Sequence, residues 1–289
     1  MQVPCPSPFL KWAGGKSQLL DLLLSKVPQS FKSYYEPFLG GGALFFKLCS
    51  LGRIRRAVIS DSNKDLMNCY VAIRDNLPAM LRELEFLQQH ATEKDFYDDV
   101  AKPRFNSILL KSGLEGNVEK ASLMIYLNKT CYNGLYRVNS SCEYNVPWGR
   151  HRSPRIYDRD NLQQVGDTLR RPGIELRCAD YEDAVSGASR GDFAYLDPPY
   201  QPLSQTSMFT MYTPDAFDEE GQQRLARTFR RMDRDGCLVM LSNSWNPMVE
   251  SLYAACLPNA KSEVVYASRK ISCKDDGRGH IREYLITNY

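Results

Sequence analysis

Histidine and paired cysteines are scarce in this sequence, and their scarcity argues against several kinds of site. Three histidines occur among 289 residues, and the nine cysteines are scattered with no C-x-x-C pair. Neither a zinc site nor a disulfide framework is therefore indicated. We expect a reduced, intracellular protein that needs no metal.

Long apolar runs and strong net charge are absent too. No stretch approaches the roughly 18 apolar residues of a membrane span. The first residues do not form a basic segment followed by an apolar one, as a secretory leader would. We therefore predict a cytoplasmic protein with no membrane partner. The formal net charge of +3 permits an anionic partner without requiring one.

What the sequence does contain is the alternation of strands and helices typical of an open α/β sheet, interrupted by one long insert. The insert, 64–157, is predicted to be mainly helical, and 1–63 with 158–289 form the α/β domain around it. The last two predicted strands should be antiparallel. Predicted helices are 19–27, 43–51, 66–76, 79–89, 121–128, 161–169 and 219–234, and predicted strands are a short aromatic one from Ser33, then 57–60, 174–178, 193–196, 237–242, 264–271 and 283–287.

A glycine loop follows the first predicted strand. Phe38 introduces a Phe-x-Gly-x-Gly sequence containing Gly40 and Gly42, ahead of a helix. A strand, glycine loop and helix let the backbone approach a nucleotide closely. Asp61 follows roughly 20 residues later, the spacing at which an acidic side chain meets ribose hydroxyls. Because the loop is not G-x-G-x-x-G, it favours S-adenosylmethionine over NAD. The alternative is a glycine turn with a capping aspartate.

A second glycine pair, in the sequence Gly-Gly-Lys-Ser at 14–17, resembles the end of a phosphate-binding loop. Leu10 stands where such a loop requires glycine, and a proline-rich segment stands where it requires a strand, so an NTPase is disfavoured. The pair still offers a ligand wall, with the Trp12 indole as a packing face and the Lys16 ammonium as an anion partner. A core tryptophan beside a solvated lysine is the alternative.

The tetrapeptide Asp197-Pro198-Pro199-Tyr200 directly follows the predicted strand 193–196. Open α/β sheets bind ligands at the carboxyl ends of their strands. Two prolines hold the backbone extended without N–H donors. A rigid carboxylate, bare carbonyls and an aromatic face can accept hydrogen bonds from an amino group on a stacked ring. This pattern favours an exocyclic amine as the nucleophile over a plain proline-rich turn.

Two further patterns concern ligand surfaces. Residues 128–139 mix aromatic, amide and cationic side chains around an Asn-Gly turn, and a basic stretch follows at 149–155. Cations suit phosphates while aromatics and amides suit base edges, which favours a nucleic-acid surface over a hairpin with solvated arginines. Asp180 and Tyr181 follow the strand 174–178, where they could wall an adenine pocket.

Five blocks occur in order along nearly the whole chain: FLKWAGGK at 9–16, EPFLGGG at 36–42, YNGLYR at 132–137, NVPWGR at 145–150 and DPPY at 197–200. Together they resemble the Dam-type DNA adenine-N6 methyltransferases, the D12 class of α-ordered amino-methyltransferases. The resemblance implies a Rossmann-like α/β methyltransferase domain that depends on S-adenosylmethionine. It also implies that 64–157 is a target recognition domain for DNA, mainly helical and carrying a β-hairpin.

The resemblance implies site residues as well. The methyl donor S-adenosylmethionine would be held without a metal by Trp12, Lys16, Asp61 and Asp197, with Glu36 and Phe38 beside the glycine loop; Gly40, Gly42, Asp180 and Tyr181 complete the predicted cofactor set. Positions that enter or read double-stranded DNA in the family, usually at GATC, match Lys11, Tyr132, Asn133, Leu135, Arg137 and Pro147. Ser141-Cys142, before Glu143-Tyr144, stands where the family often has Arg-Gly. This difference bears on the exact shape of the expected recognition hairpin.

The implied reaction is methyl transfer to adenine N6 after the base is flipped out of the duplex, at a cost of a few kcal/mol. Stacking on Tyr200 would offset part of that cost. Hydrogen bonds from the amino group to Asp197 and to the Pro198 carbonyl would concentrate the lone pair for in-line displacement.

Other functions are compatible with parts of the pattern. An amino-methyltransferase acting on RNA, cytosine or a protein amide is the main alternative, and a DNA-binding regulator on a defunct methyltransferase scaffold is another. Asp197 as the first residue of the tetrapeptide, together with the large insert, favours DNA adenine. Whether the enzyme acts alone or beside a separate cognate restriction endonuclease is left open.

Overall fold

The computed structural model of the chain describes residues 6–199, 218–268 and 280–289. Its strands are β1 (Tyr34–Glu36), β2 (Ala57–Asp61), β3 (Ile174–Cys178), β4 (Phe193–Leu196), β5 (Leu238–Ser244), β6 (Lys261–Ser268) and β7 (His280–Thr287). Its α-helices are α1 (Leu20–Lys26), α2 (Ala43–Ser50), α3 (Lys64–Gln89), α4 (Lys102–Ser107), α5 (Val118–Thr130), α6 (Arg159–Leu169), α7 (Tyr181–Ala184), α8 (Glu219–Arg234) and α9 (Pro247–Cys256). Among the described residues, no helix is both long and apolar enough to cross a membrane.

The strands form one seven-stranded sheet in the order β3-β2-β1-β4-β5-β7-β6. The first five strands of that order run parallel, and β7 lies antiparallel between β5 and β6. The predicted α/β class and the predicted antiparallel pair are confirmed. Residues 269–271 of the predicted strand 264–271 lie outside the described part of the chain.

The strand order reverses between β1 and β4. Strands β2 and β3 lie on one side of that point, and β5 lies on the other. Tyr34 pairs with Phe193 and Tyr35 with Ala194, so the segments that follow β1 and β4 leave the sheet side by side. Ligands bind at such a switch point, beyond the carboxyl ends of the strands. Both the glycine loop and the tetrapeptide begin there.

Helices cover both faces of the sheet, so β4 is buried at every position. Successive strand residues point to opposite faces. Phe193 and Tyr195 accordingly join the core that also contains residues of α2, α3 and α5. Ala194 and Leu196 join the core beneath α8 and α9.

A kink divides α3 just before Pro78, so the prediction of two helical segments there, 66–76 and 79–89, is confirmed. The kink lies at Asn76, where φ is −134° and ψ is 29°. Proline has no N–H to donate to the carbonyl four residues earlier, which belongs to Arg74. Arg170 of α6 donates to that carbonyl instead, at 2.7 Å. A tertiary hydrogen bond thus replaces the missing helical one. The division of the chain into domains at 63 and 158 stays a prediction.

Candidate active site

Asp197 lies immediately beyond the carboxyl end of β4, where the sequence predicts it. Its Oδ1 lies 2.7 Å from the Nζ of Lys16 and accepts a hydrogen bond from Ser242 Oγ at 3.0 Å. Lys16 belongs to a single 3₁₀ turn, Lys16–Gln18, and Ser242 belongs to the neighbouring strand β5. Both of these contacts are made through Oδ1. The carboxylate is therefore fixed through one oxygen and presents the other.

Lys16 is buried, with 5% of its surface exposed. Its ammonium also lies 3.8 Å from Glu283 of β7 and donates to the Gly14 carbonyl at 3.0 Å. Burial raises the pKa of Asp197, and the Lys16 charge opposes that rise. The sequence predicts Lys16 as the partner of an anionic ligand, but in the structure its anion is the candidate catalytic carboxylate. Two carboxyl groups thus face one ammonium, which suits a cationic ligand.

Glu36 is a third carboxyl group at this end of the sheet. It is buried in β1, and its Oε2 accepts a hydrogen bond from the Tyr34 hydroxyl at 2.8 Å. The pKa of Glu36 is raised to about 8, mainly by burial; the hydrogen bond from Tyr34 opposes the rise and the nearby charge of Asp197 adds to it. Glu36 therefore keeps its proton at neutral pH.

Glu36→Gln is expected to stabilise the folded protein, and increasingly so as the pH rises from 4.5 to about 8. A folded-state pKa above the unfolded one gives stability that is full below the unfolded pKa and is lost as the pH rises toward the folded pKa. Glutamine stays neutral, so the variant does not lose this stability as the pH rises. The difference in unfolding free energy should grow by up to about 1.4 kcal/mol per pH unit in this window.

Urea denaturation at several pH values measures that difference. Glu83→Gln is the matched control, since Glu83 is an exposed carboxylate on α3, and it should show no such trend. If Glu36→Gln differed from wild type by the same free energy at every pH, Glu36 would not be the buried, protonated group described here.

The glycine loop is held between Asp61 and Trp12. Asp61 accepts the Gly40 N–H and the Asn63 N–H, each at 3.0 Å, so its carboxylate ties the loop to the end of β2. Gly40 has a φ of +48°, and a Cβ there would lie 2.8 Å from the Trp12 ring. Only glycine fits beneath the indole. The capping role of Asp61 is real, yet a carboxylate with four lone-pair sites can still accept a ligand hydroxyl.

An aromatic pair lies on the other side of the loop. The rings of Phe38 and Tyr181 are stacked, with centroids 5.1 Å apart. Asp180 caps α7 through the Glu182 N–H and is paired with Arg224 of α8, whose guanidinium lies 4.8 Å above the Tyr181 ring. Arg224 is thus engaged by both the carboxylate of Asp180 and the Tyr181 ring. Asp180 therefore supports the Tyr181 ring through Arg224.

The structure brings Lys11 to the Asn-Gly turn, although 117 positions separate Lys11 from Asn128 in the chain. The Asn128 side chain accepts the Lys11 N–H at 2.8 Å and donates to the Lys11 carbonyl at 2.9 Å and the Gly134 carbonyl at 3.0 Å. The Lys11 stem lies against Gly134, where a Cβ would collide with it. One buried amide therefore joins two segments that were predicted to contact DNA.

The other predicted DNA contacts surround this turn, which is a 3₁₀ turn, Tyr132–Gly134. The Tyr132 N–H donates to the Pro147 carbonyl at 2.9 Å, and the Tyr132 side chain is 45% exposed. Asn133 has a left-handed φ of 56°, and Leu135 follows it, half-buried. The predicted DNA-contacting residues thus form one surface.

The chain does turn back as a hairpin, but at 139–143 rather than at Asn133-Gly134. Val138 and Tyr144 form an antiparallel bridge. Arg137 precedes this bridge, and its Nε and Nη2 donate to the side-chain and backbone oxygens of Asn145, at 2.7 and 3.2 Å. The opposite arm of the hairpin thereby fixes the direction of the guanidinium.

Two residues on the site carry no motif and are missed by sequence reasoning: Ser242 and Glu283. Among the predicted catalytic residues, Pro198 and Pro199 follow Asp197 as the sequence requires, whereas Tyr200 lies outside the described residues. The remaining predicted cofactor residues meet around the switch point between β1 and β4. The arrangement can hold a cationic, nucleotide-like ligand beside a carboxylate that accepts hydrogen bonds.

Comparison with known proteins shows likeness over almost the entire chain. Residues 12–271 match the profile of the family described as D12 class N6 adenine-specific DNA methyltransferase. Type II methyltransferase M1.LlaDCHI of Lactococcus lactis subsp. cremoris is 40% identical over 282 residues, which cover 98% of this chain and 95% of that protein. Type II methyltransferase M.MjaIII of Methanocaldococcus jannaschii is 40% identical over 294 residues, covering 98% and 99%. The DNA adenine methylase of Serratia marcescens is 31% identical over 283 residues, covering 96% of both chains.

Proposed function

The chain belongs to the D12 class of N6 adenine-specific DNA methyltransferases, and from this premise we propose that it transfers a methyl group from S-adenosylmethionine to adenine within GATC in double-stranded DNA. The observation that carries the proposal is the carboxylate of Asp197. It lies at the switch point of the sheet, beside the glycine loop, with one oxygen fixed by Lys16 and Ser242.

Three features of the site fit S-adenosylmethionine. The carboxylate of Asp197 lies at the switch point of the sheet, where it can attract a sulfonium cation. The glycine loop has no side chains at its three successive glycines, 40–42, so its backbone can approach a ligand closely. The stacked pair of Phe38 and Tyr181 offers a flat apolar face for an adenine ring. The proposed cofactor residues are Trp12, Lys16, Glu36, Phe38, Gly40, Gly42, Asp61, Asp180, Tyr181 and Asp197.

The proposed mechanism rests on positioning and on hydrogen-bond acceptors. S-adenosylmethionine, when bound, supplies a methyl group that is already activated for in-line displacement from sulfur. Asp197 accepts one hydrogen of the adenine amino group through Oδ2, and the Pro198 carbonyl accepts the other. These acceptors direct the nitrogen lone pair and stabilise the positive charge that develops on the nitrogen. Holding both reactants in line supplies most of the acceleration.

We propose that 64–157 is the target recognition domain and that DNA lies against the surface formed by Lys11, Tyr132, Asn133, Leu135, Arg137 and Pro147. An adenine stacked in a duplex cannot reach Asp197, so the base must be flipped out. Exposed Tyr132 and half-buried Asn133 are the proposed residues that fill the space that the base leaves. Tyr200, beyond the described residues, is the proposed stacking partner of the flipped ring.

Asp61→Ala is expected to raise the apparent KM for S-adenosylmethionine by about tenfold or more, with a much smaller fall in kcat. A ribose contact is made equally in the ground and transition states, so its loss weakens binding without slowing the saturated reaction. Initial rates at varied cofactor concentration measure the split. Asp61→Asn keeps an acceptor oxygen for the Gly40 N–H and separates support of the loop from ribose binding. An unchanged KM in Asp61→Ala would mean that Asp61 only caps its strand.

The function itself is tested with purified protein and cofactor labelled in the methyl group. Label should enter N6 of adenine in duplexes that contain GATC and should be lost from duplexes altered at one base pair. Transfer to RNA, to cytosine or to a protein amide would replace this proposal with one of those activities. DNA binding without any transfer would indicate a regulator on a methyltransferase scaffold.

Two of the compared relatives are named type II methyltransferases, which supports a role for this chain beside a separate cognate restriction endonuclease. DNA from cells that express the protein should then resist an endonuclease that cleaves only unmethylated GATC. Full cleavage of that DNA by such an endonuclease would contradict both the GATC target and the protective role.

A further inference from the structure

A chain of two hydroxyl groups leads to Asp197 from inside the sheet. Ser242 of β5 is 2% exposed, and its Oγ lies 3.0 Å from Asp197 Oδ1 and 2.9 Å from the hydroxyl of Tyr195 on β4. Tyr195 is 1% exposed. Strands β4 and β5 are paired in parallel with Leu196 opposite Leu241, which places Asp197 beside Ser242. The contact therefore follows from the register of the sheet rather than from a mobile side chain.

The hydrogen bonds in this chain can run in one direction only. An ionised carboxylate has no hydrogen to give, so Ser242 must donate to Asp197. A serine hydroxyl has a single hydrogen, so Tyr195 must in turn donate to Ser242. Burial raises the pKa of Tyr195 well above its ordinary value, so the phenol keeps its hydrogen whenever the enzyme is working. Asp197 thus accepts a hydrogen bond from Ser242, whose hydroxyl is itself held in place by the hydrogen bond from Tyr195.

We propose that Ser242 and Tyr195 are positioning residues that hold Asp197 Oδ1 so that Oδ2 faces the adenine amino group. The proposal rests on the proposed function for the identity of that amino group. Lys16, which is also buried, holds the same oxygen through its charge. Lys16 alone would fix a distance to the carboxylate, whereas a second donor at the same oxygen also fixes the rotation of the carboxyl plane.

This chain of the Tyr195 and Ser242 hydroxyl groups, the relay, also affects the charge on Asp197. The titratable groups near Asp197 are Lys16 and, around it, Glu36 of β1 and Glu283 of β7. Burial favours the neutral form of Asp197, whereas Lys16, Ser242 and Tyr195 favour the ionised one. Loss of the Ser242 hydroxyl should therefore raise the pKa of Asp197 and move the acidic limb of the pH–rate profile to higher pH.

The experiment compares Ser242→Ala, Ser242→Thr and Tyr195→Phe in single-turnover methyl transfer on GATC duplexes over a range of pH. We expect Ser242→Ala to lower the rate at the optimum by about tenfold and to raise the pH midpoint of the acidic limb by about one unit, with an unchanged KM for the cofactor. Ser242→Thr keeps the hydroxyl and should restore the midpoint. Tyr195→Phe leaves Ser242 able to donate and should shift the midpoint less, in the same direction.

Ser244→Ala is the matched control. Ser244 lies two positions further along β5, is also buried, and its hydroxyl has no hydrogen-bond partner among the described residues. It should move neither rate nor midpoint. A slower Ser242→Ala enzyme with an unmoved midpoint would overturn the relay, as would a folded Tyr195→Phe enzyme identical to wild type. The wild-type rate tests the proposed function separately: transfer by wild type to another acceptor would refute that function, while the midpoints would still test the relay on that acceptor.

Discussion

Asp197→Ala is expected to reduce methyl transfer by about a thousandfold or more, while affinity for GATC duplexes stays close to that of wild type. The variant lacks the oxygen that accepts the adenine amino hydrogen, and the Pro198 carbonyl alone cannot direct the lone pair. Asp197 contacts Lys16 and Ser242, neither of which belongs to the proposed DNA surface of Lys11 and Arg137, so DNA binding should survive. Single-turnover transfer and an equilibrium DNA-binding assay measure the two effects. A folded Asp197→Ala enzyme with near-normal turnover would disprove the mechanism.

The buried position of Lys16 determines which control is needed. Removing one partner of a buried ion pair costs about 3–5 kcal/mol of stability, and Glu283, at 3.8 Å from the ammonium, compensates only in part. Asp197→Asn keeps an oxygen for Lys16 and Ser242 but presents an N–H₂ group where the amino hydrogen should be accepted. It should therefore melt closer to wild type than Asp197→Ala and be as inactive. Recovery of activity with recovery of stability would show that Asp197 has only a structural role.

Arg137→Ala is expected to lose activity on GATC yet to discriminate less against sites altered at one base pair, by roughly tenfold or more. A guanidinium can donate two parallel hydrogen bonds to O6 and N7 of guanine, worth about 1–3 kcal/mol of discrimination. Asn145 uses two donors, on Nε and Nη2 of Arg137, and the remaining donors point from the end of the guanidinium. The hairpin thus fixes the direction of the Arg137 guanidinium before DNA binds.

Rates on a panel of duplexes, each altered at one base pair, test this prediction. Arg150→Ala, in the exposed basic stretch 149–155, is the contrast, because a phosphate contact should weaken binding to every sequence alike and lower the salt slope. Asn145→Ala releases the guanidinium and should relax discrimination in part. If Arg137→Ala lowered methylation of every duplex by one common factor, Arg137 would hold the backbone and not read a base.

The parts of the fold that the sequence predicts well are those with a local cause. The buried strand 193–196 is recognisable from its apolar run, and the glycine loop after β1 from its glycines. Both signals depend only on residues within the segment itself. Pro78 shows both sides: the kink beside it follows from the proline itself, whereas its missing hydrogen bond is replaced by Arg170 of α6, which is distant in the sequence. No pattern near Pro78 announces that replacement.

The candidate site divides in the same way. Asp197, Lys16 and Asp61 stand in recognisable motifs, whereas Ser242 and Glu283 reach the site only through strand pairing. Glu283 is opposite Ser244 in the antiparallel pair of β7 and β5, and neither that register nor the position of β7 inside the sheet can be read from a sequence.

The Asn-Gly signal illustrates a third case. Asn133 and Gly134 both adopt the left-handed conformation that the signal predicts, with φ of 56° and 66°. The Lys11 stem lies against Gly134, and the chain turns back only at 139–143. The local conformation was predictable, and the path of the chain was not.

The pairing of β1 with β4 has a consequence for how the protein is made. The Ser33 N–H bonds to the Asp192 carboxylate across 159 positions of chain, and closing so long a loop costs entropy unless the segment between has already become compact. Helices α3 and α5 of the insert pack on each other and can do so before β4 is synthesised, whereas the central strand pair must wait for β4. Glu283 arrives later still, with β7 inserted between β5 and β6. Translation therefore completes the turn Tyr132–Gly134 before the charge cluster around Lys16, which forms only when nearly the whole chain has been synthesised.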